Sequence, residues 1–298
     1  MPNRVTQGMM NTQLLRNLSN NVKKNSYLQN QLATGRTINK PSDDPVGISY
    51  SMRYRSELSS NDQYQKNVDN ALSWLEYTDT TLDQANSVLQ RVRELAVSGA
   101  NGTNPETALD AIKSEVDQLR EQLLTIGNSQ FNGKYVFNGQ KTDTKPYDLA
   151  TAATDPVDTG SIQFEIGVGV TLPVNINGAA VFGSPGAADN AFKVLDDLSN
   201  ALGSGDQTTV SNLIGTLDDR INSFLALRSE IGAKTNRIEL AQDRLEDIGV
   251  NLQSLQSKTE DADIPTVITN LKAGENVYQA SLAVGAKLIS SSLIDFLR

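Results

Sequence analysis

The sequence predicts a mainly α-helical protein with a small β-rich insertion. Its long helices are expected to form an elongated antiparallel bundle, a rod, and its terminal helices to pair as a coiled coil. Three observations predict this fold class. Apolar residues recur every three or four positions through both halves of the chain. That spacing disappears between Phe131 and Phe192, where Gly, Pro, Thr, Asp and Val dominate. The helical segments on either side follow a mirrored order, which places both chain ends at one end of the rod.

The first helix has an unusually polar seam. Its seam positions, spaced alternately three and four apart, are Asn11, Leu14, Leu18, Asn21, Asn25, Leu28 and Leu32. Asparagine at such positions selects register and partner number at a cost in stability. We therefore expect this helix to be marginal by itself and to become ordered by packing on other helices.

The second helix is expected to begin at Asp43-Asp44-Pro45. An aspartate cap accepts hydrogen bonds from free backbone N–H groups, and proline fits the first helical position. A catalytic or metal-binding carboxylate pair is the alternative for Asp43 and Asp44, and capping is favoured over it.

The second helix is long, and one further helix follows it in the first half. An apolar stripe extends the second helix to about Ser98, and Gly99, Gly102 and Asn104-Pro105-Glu106 form a turn. Regular spacing then resumes from Leu109 to Ile126, which predicts an antiparallel return across a short connection.

The middle of the chain is predicted to contain strands. They are expected at residues 134–139, 161–170 and 174–182, with Asn177-Gly178 as a hairpin turn. The Gly167-Val168-Gly169 step lacks the G-x-G-x-x-G pattern of a nucleotide-binding loop.

Helical spacing returns after Ala187 and is strongest from Ile214 to Leu255, before a break at residues 260–265. The last segment combines apolar residues with many small ones, which permit close helix approach. Its apolar positions include Leu271, Tyr278, Leu282, Ile289, Leu293 and Phe296.

These patterns predict three domains. Residues 1–43 with 262–298 form a terminal helical assembly domain, and residues 44–140 with 187–261 form the helical rod. Residues 141–186 form a β-rich outer insertion.

Composition narrows the function classes. The chain has no cysteine and no histidine, which removes disulfides, thiol nucleophiles, imidazole bases and the usual zinc ligands. We therefore expect no cofactor, no metal and no catalysis, although a carboxylate enzyme using Asp155, Asp158 or Glu165 is a minor alternative. A net charge of −9 argues against a nucleic-acid partner. The N-terminus shows no secretory signal pattern, and no stretch reaches the length of a membrane span.

Several sequence blocks resemble the bacterial flagellin superfamily. In the first half they are Leu89–Asn101 (LQRVRELAVSGAN), Leu32–Asn39 (LATGRTIN) before Asp43-Asp44, and Gln130–Gly133 (QFNG). In the second half they are Arg228–Ala233 (RSEIGA), Asn236-Arg237 and Glu260–Asp263 (EDAD). Pro45 departs from the small residue usual after the aspartate pair, and it suits a helix start.

Within the superfamily, the chain resembles the hook-associated protein 3 family more than filament flagellins. The resemblance lies in Arg4–Met9 (RVTQGM), Gly133–Gly139 (GKYVFNG) and the ending from Tyr278 to Leu297. It implies a structural adaptor ring at the hook–filament junction of the bacterial flagellum, with flagellin, the filament subunit itself, as the alternative.

The resemblance also implies export and partners. The chain would be secreted unfolded through the flagellar type III apparatus with a cytoplasmic export chaperone. It would then form a homo-oligomeric ring between a hook-associated junction protein on the hook side and flagellin on the filament side.

The predicted assembly interface combines seam residues with the charged block on the second helix. It comprises Leu14, Leu18, Leu28, Leu32, Arg91, Arg93, Glu94, Tyr278, Leu282, Ile289, Leu293 and Phe296. For Arg91, Arg93 and Glu94, solvated pairs along the helix surface are an equally weighted alternative.

Overall fold

The computed structural model describes the backbone of residues 7–296 and the side chains of residues 8–287. Within this part of the chain, three helices are followed by two short antiparallel strand pairs and then by four more helices. The helices are α1 Gln7–Thr34, α2 Pro45–Gly99, α3 Glu106–Gly127, α4 Gly178–Phe182, α5 Ala191–Ser204, α6 Gln207–Glu260 and α7 Ile264–Phe296. The strands are β1 Gln130–Phe131, β2 Lys134–Tyr135, β3 Gln163–Gly167 and β4 Val170–Pro173. The predicted mainly α-helical class with a small β-containing region is confirmed.

Helix α2 begins where the aspartate pair predicts. Asp44 Oδ1 accepts a hydrogen bond from the Val46 N–H at 3.0 Å, which caps the new helix. Asp43 Oδ2 accepts from the N–H groups of Asn39 and Lys40 at 3.1 and 2.9 Å and holds the preceding turn. The capping interpretation is confirmed, and the two carboxylates have different structural tasks.

Two Asn-Gly pairs adopt different structures. Asn132 and Gly133 both have positive φ, 50° and 77°, and form the tight turn between β1 and β2. Asn177 has an extended backbone with φ −83°, and its side chain accepts from the Ala180 N–H at the start of α4. The hairpin turn predicted at Asn177-Gly178 is therefore wrong, because Asn177 caps a helix.

The predicted strands in the middle of the chain also shift. β3 and β4 are joined through Val168 and Gly169, which lie inside the segment predicted as one strand. Residues 178–182, predicted as strand, form α4. The strand predicted at residues 134–139 is shorter in the structure, where β2 covers Lys134–Tyr135.

The chain divides into two compact units. Unit 1 contains the residues up to Ser60 and those from Ile248 onward, and unit 2 contains Asn61–Asp247. The core of unit 1 includes a small buried cluster of Leu28, Val267 and Leu271. The three-domain division given above stays a prediction.

Unit 2 has an aromatic centre. The Phe182 ring lies 5.5, 5.4, 5.1 and 6.0 Å, centroid to centroid, from the rings of Phe137, Tyr147, Phe192 and Phe224. All five side chains are buried. This cluster joins α4 and α5 to α6 and to the segment after β2, so the middle of the chain is packed into the unit's core.

Candidate assembly interface

Helices α1 and α7 pack against each other within unit 1 and run antiparallel. On α1, the residues turned toward α7 are Leu14, Leu18, Asn21, Asn25 and Leu28, of which Leu28 is fully buried and the others partly. They repeat at alternating steps of four and three, as a coiled-coil seam requires. The predicted seam is confirmed over these five positions.

The facing surface of α7 carries mostly small or polar residues. Its less exposed positions are Val267, Leu271, Gly274, Tyr278, Ser281 and Gly285. They also alternate in steps of four and three, so the seam is regular on both helices.

Two glycines on α7 allow the helices to approach closely. A Cβ added to Gly285 would lie 2.8 Å from Leu14 Cδ2. A Cβ added to Gly274 would overlap Asn25 Oδ1. The prediction that small residues in the last segment permit close helix approach is confirmed at these positions.

Some residues of the predicted interface lie outside the α1–α7 seam, and their role between subunits stays a prediction. The last seam position on α1 is Gln31 rather than Leu32: Gln31 is buried, its Nε2 donates to the Thr37 carbonyl at 3.1 Å, and Leu32 is exposed. The reason is that α1 ends at Thr34 and the chain turns back over Gln31. Tyr278 is partly buried in the seam and Leu282 is exposed beside it. Ile289, Leu293 and Phe296 lie outside the described side chains.

A buried carboxylate ties the segments of unit 1 together. The Glu260 side chain is 2% exposed and forms an ion pair with Arg55 and a second with Arg36 at 3.3 Å. Ser51 Oγ donates to Glu260 Oε1, and Gln256 Nε2 donates to the same oxygen at 3.0 Å. One carboxylate therefore connects the start of α2, the end of α6 and the connection between α1 and α2.

Backbone hydrogen bonds complete this junction. The Ala262 N–H donates to the Gly35 carbonyl at 2.9 Å, and the Thr37 N–H donates to the Glu260 carbonyl at 2.6 Å. Thr37 Oγ1 donates to the Asp261 carbonyl at 2.9 Å. We call Arg36, Thr37, Ser51, Arg55, Gln256 and Glu260 the Glu260 clasp. It joins two sequence blocks that lie more than two hundred residues apart, and no local pattern reveals it.

The clasp favours the ionised carboxylate. The hydrogen bond from Arg55 lowers the pKa of Glu260 to about 2, with further contributions from Ser51 and Gln256, against the opposing effect of burial. Glu260 therefore stays charged over the whole physiological range.

The charged block on α2 forms pairs within unit 2. Arg91 bonds Glu94 on its own helix at 3.0 Å and Glu115 on α3 at 2.8 Å. Arg93 binds Asp218 on α6 through two nitrogens, one of them at 3.2 Å. The hydrogen bonds that Arg91 and Arg93 donate to these carboxylates raise the pKa of both arginines. All of these side chains remain at least 40% exposed, so the pairs leave surface for other contacts. Their role between subunits stays a prediction.

An apolar row is exposed along one side of the terminal pair. Leu15, Val22 and Leu282, which we call the outer stripe, are 66%, 48% and 45% exposed. Each of the three residues directly follows a seam residue in the sequence. In an antiparallel helix pair, these positions lie on the same side of the pair. Large apolar residues at consecutive levels of a helix pair indicate a surface that another molecule covers.

Comparison with known families identifies the class of protein. A family model of the bacterial flagellin N-terminal helical region matches residues 5–142, and one of the bacterial flagellin C-terminal helical region matches residues 214–297. The matched regions contain α1, α2, α3, most of α6 and α7. The chain belongs to the flagellin family and is a structural, non-enzymatic component of the bacterial flagellum.

Individual relatives carry two kinds of name. Flagellar hook-associated protein 3 of Salmonella typhimurium is 24% identical over 317 residues, 99% of this chain and 100% of the relative. A flagellin of Bacillus subtilis is 28% identical over 299 residues, 95% of each chain. Among solved structures, flagellar hook associated protein-3 from Legionella pneumophila has a TM-score of 0.64 at 16% identity, covering 70% of this chain and 98% of its own.

The carboxylates considered for catalysis have structural partners. Asp155 Oδ2 accepts from the Asp148 N–H at 2.8 Å, and Asp158 Oδ2 from the Gln140 N–H at 2.6 Å. Glu165 Oε1 accepts from the Tyr64 hydroxyl at 3.3 Å. Over the described residues, acidic side chains form no group suited to a metal ion, and no helix has the length and apolar character to cross a membrane.

Proposed function

We propose that this chain forms an adaptor ring at the junction between the flagellar hook and the filament. The observation that carries the proposal is the outer stripe on the terminal helix pair, since a structural flagellar subunit with such a surface is built to be covered by neighbours. Full-length similarity to a hook-associated protein 3, the fold shared with its solved relatives and the Gly133–Gly139 block support the junction over the filament.

The polar seam suits this task. Asn21, Asn25, Ser281 and two glycines bury little apolar area, so the terminal pair gains little stability from its own contacts. Covering Leu15, Val22 and Leu282 with copies of the same chain supplies the missing burial. The terminal pair is thereby most stable when the ring forms.

The proposal includes the partners and the route. The chain is exported unfolded through the flagellar type III apparatus after binding a cytoplasmic chaperone, and it is secreted to the growing tip. There it lies between a hook-associated junction protein and the first flagellin subunits.

Two polar substitutions on the outer stripe test the proposal. Leu15→Gln with Val22→Gln removes apolar surface without touching the seam, and Val168→Gln in the exposed β3–β4 turn is the matched control. We expect the double variant to keep the thermal transition of unit 2 but to be absent from hook tips in immunoelectron microscopy. The control is incorporated normally.

Removal of residues 289–298 gives a second test. We expect the truncated chain to keep a folded unit 2 and to fail to support motility. Normal motility with either the truncated chain or the stripe variant would contradict the proposal.

Flagellin is the second candidate, because the sequence relatives include flagellins at 26–28% identity. The two functions predict different behaviour when the purified protein is mixed with filament fragments as seeds for growth. Filament fragments should be elongated into long filaments by a flagellin, whereas an adaptor should add no more than a terminal layer.

A further inference from the structure

We infer that Gly274 and Gly285 are specificity-determining residues for the pairing of the chain ends. They form two notches on α7, which Asn25 and Leu14 of α1 occupy, and the fit fixes the register of the two helices. We call the two contacts the notch contacts.

The spacing of the notch contacts is matched on the two helices. The same number of residues separates Leu14 from Asn25 as separates Gly274 from Gly285. Because the helices run antiparallel, both notches are filled in one register. A Cβ at either glycine would collide with the end of the α1 side chain opposite it, so that side chain would have to leave its present position.

A slipped register is unfavourable at the Asn25 level. The neighbouring seam positions on α7 are Leu271 and Tyr278, whose side chains would stand where Gly274 leaves room. The helices would have to separate to admit the asparagine side chain, and the packing of Leu28 with Leu271 would be lost. Its amide would also be pressed against an apolar or aromatic side chain.

Asn25 is a costly residue in its present position. Its Oδ1 atom is buried and, among the described residues, has no hydrogen-bond partner. In the native chain, a Cα hydrogen of Gly274 points at this oxygen and is a weak donor to it. A Cβ at Gly274 would take the place of that hydrogen. An apolar residue would stabilise the seam more but would discriminate less between registers, as is known for buried asparagine in coiled coils.

The register also determines the outer stripe. With the notches filled, Leu282 on α7 lies between the levels of Leu15 and Val22 on α1, on the same side of the pair. A slip by one turn would break this row. The consequence for ring formation rests on the proposed function, whereas the register itself does not.

Disulfide trapping in the purified full-length protein tests the register. The chain contains no cysteine, so two introduced cysteines report on one pair of positions. Leu18→Cys with Ser281→Cys joins positions at the same level, and Asn11→Cys with Ser281→Cys joins positions one heptad apart. We expect the first pair to oxidise at least about tenfold faster than the second, because a slipped register overpacks the seam.

Alanine substitutions then test the notches. Gly274→Ala or Gly285→Ala should slow trapping of the same-level pair at least about fivefold. Gly8→Ala, a helical glycine on α1 with open space around it, is the matched control and should leave the rate unchanged. Adding Asn25→Ala to Gly274→Ala should restore the rate, since it removes the colliding side chain.

Two results would overturn the inference. One is equal trapping of the two cysteine pairs in the chain with native glycines. The other is a Gly274→Ala or Gly285→Ala chain that traps as fast as the Gly8→Ala control. A failure of the protein to join hook tips would bear on the proposed function and leave the trapping result intact.

Discussion

The two units bury charge in different ways. Among the buried residues that the structure describes, the charged ones are Arg220 in unit 2 and Glu260 in unit 1. Arg220 donates to the backbone carbonyls of Val181 and Asp189, at 3.3 and 2.8 Å, and pairs with the Asp189 carboxylate. Burial lowers the pKa of Arg220. Its acceptor Val181 directly precedes Phe182, the central ring of the aromatic centre of unit 2.

Glu260 has far less apolar support. Its partners are side chains of three separate segments, and the nearby buried cluster of unit 1 comprises Leu28, Val267 and Leu271. Unit 2 is stabilised mainly by apolar burial, which is non-directional. Unit 1 depends on hydrogen bonds, which require particular distances and angles, and on the fit of two glycines. Unit 2 is therefore expected to be stable by itself, whereas unit 1 is stable only when its side chains meet in one defined geometry.

The largest expected effect is on the aromatic centre. Phe182→Ala removes a ring that contacts four others and should destabilise unit 2 by about 3–5 kcal/mol. Chemical denaturation followed by circular dichroism measures the loss. The counterpart in unit 1, Leu271→Ala, should leave the unit 2 transition in place. If both variants lowered one common transition equally, the two units would not differ as described.

The clasp should give the next largest effect. Glu260→Gln keeps the shape of the side chain but removes the charge that Arg55 and Arg36 bind. We expect it to destabilise unit 1 by about 2 kcal/mol. The loss is no larger because both arginines are partly exposed and can turn toward water. Hydrogen exchange of residues 8–34 should accelerate while unit 2 stays protected. Glu57→Gln, in an exposed pair on α2, is the matched control and should change little.

The same variant tests the pH dependence. Since the pKa of Glu260 is about 2 in the folded chain, below its ordinary value of 4.5, its stabilisation is complete above about pH 4.5. It is lost as the pH falls toward 2. Protection of unit 1 should therefore fall over this interval in the native chain, and the difference from Glu260→Gln should shrink to zero. A constant difference down to pH 2 would contradict the assigned pKa.

The cap of α4 should have a smaller effect. Asn177→Ala removes the acceptor for the Ala180 N–H and should lower the stability of unit 2 by about 1 kcal/mol. Asn177→Asp keeps an acceptor and should retain most of that stability. Thermal unfolding of the three proteins side by side gives the comparison, and equal losses for both variants would show that capping is not the reason.

The smallest expected effect on stability is at the charged block. Arg93→Ala breaks an exposed pair with Asp218 and should shift the melting temperature by less than about 2 °C. If Arg93 also serves contacts between subunits, the variant should still be incorporated poorly into the flagellum. A large fall in melting temperature would instead assign Arg93 a structural role.

Local sequence signals predicted the helices well. The Asp43-Asp44-Pro45 start, the turn before Pro105 and the break near Glu260 were visible because caps and prolines act on adjacent residues. The seam residues Leu14, Leu18 and Leu28 followed from periodicity. Asn177-Gly178 misled because the same two residues suit a hairpin turn and a helix cap, and tertiary packing decides between them.

The contacts within unit 1 could be predicted from the sequence only in part. Leu32 fits the heptad, but the chain reversal at Gly35 covers Gln31 instead, which periodicity does not foresee. The Glu260 clasp was missed because its members lie on segments that are distant in sequence. The small residues of α7 suggested close approach, whereas the particular notches at Gly274 and Gly285 required the partner helix.

Hydrogen exchange of the free protein, resolved by mass spectrometry, tests the central claim most directly. The claim is that the terminal helices form a weaker unit that assembly completes, beside a stable apolar unit. We expect residues 8–34 and 264–287 to exchange at least about tenfold faster than residues 191–204 of α5. Equal protection of the terminal helices and α5 would contradict the account.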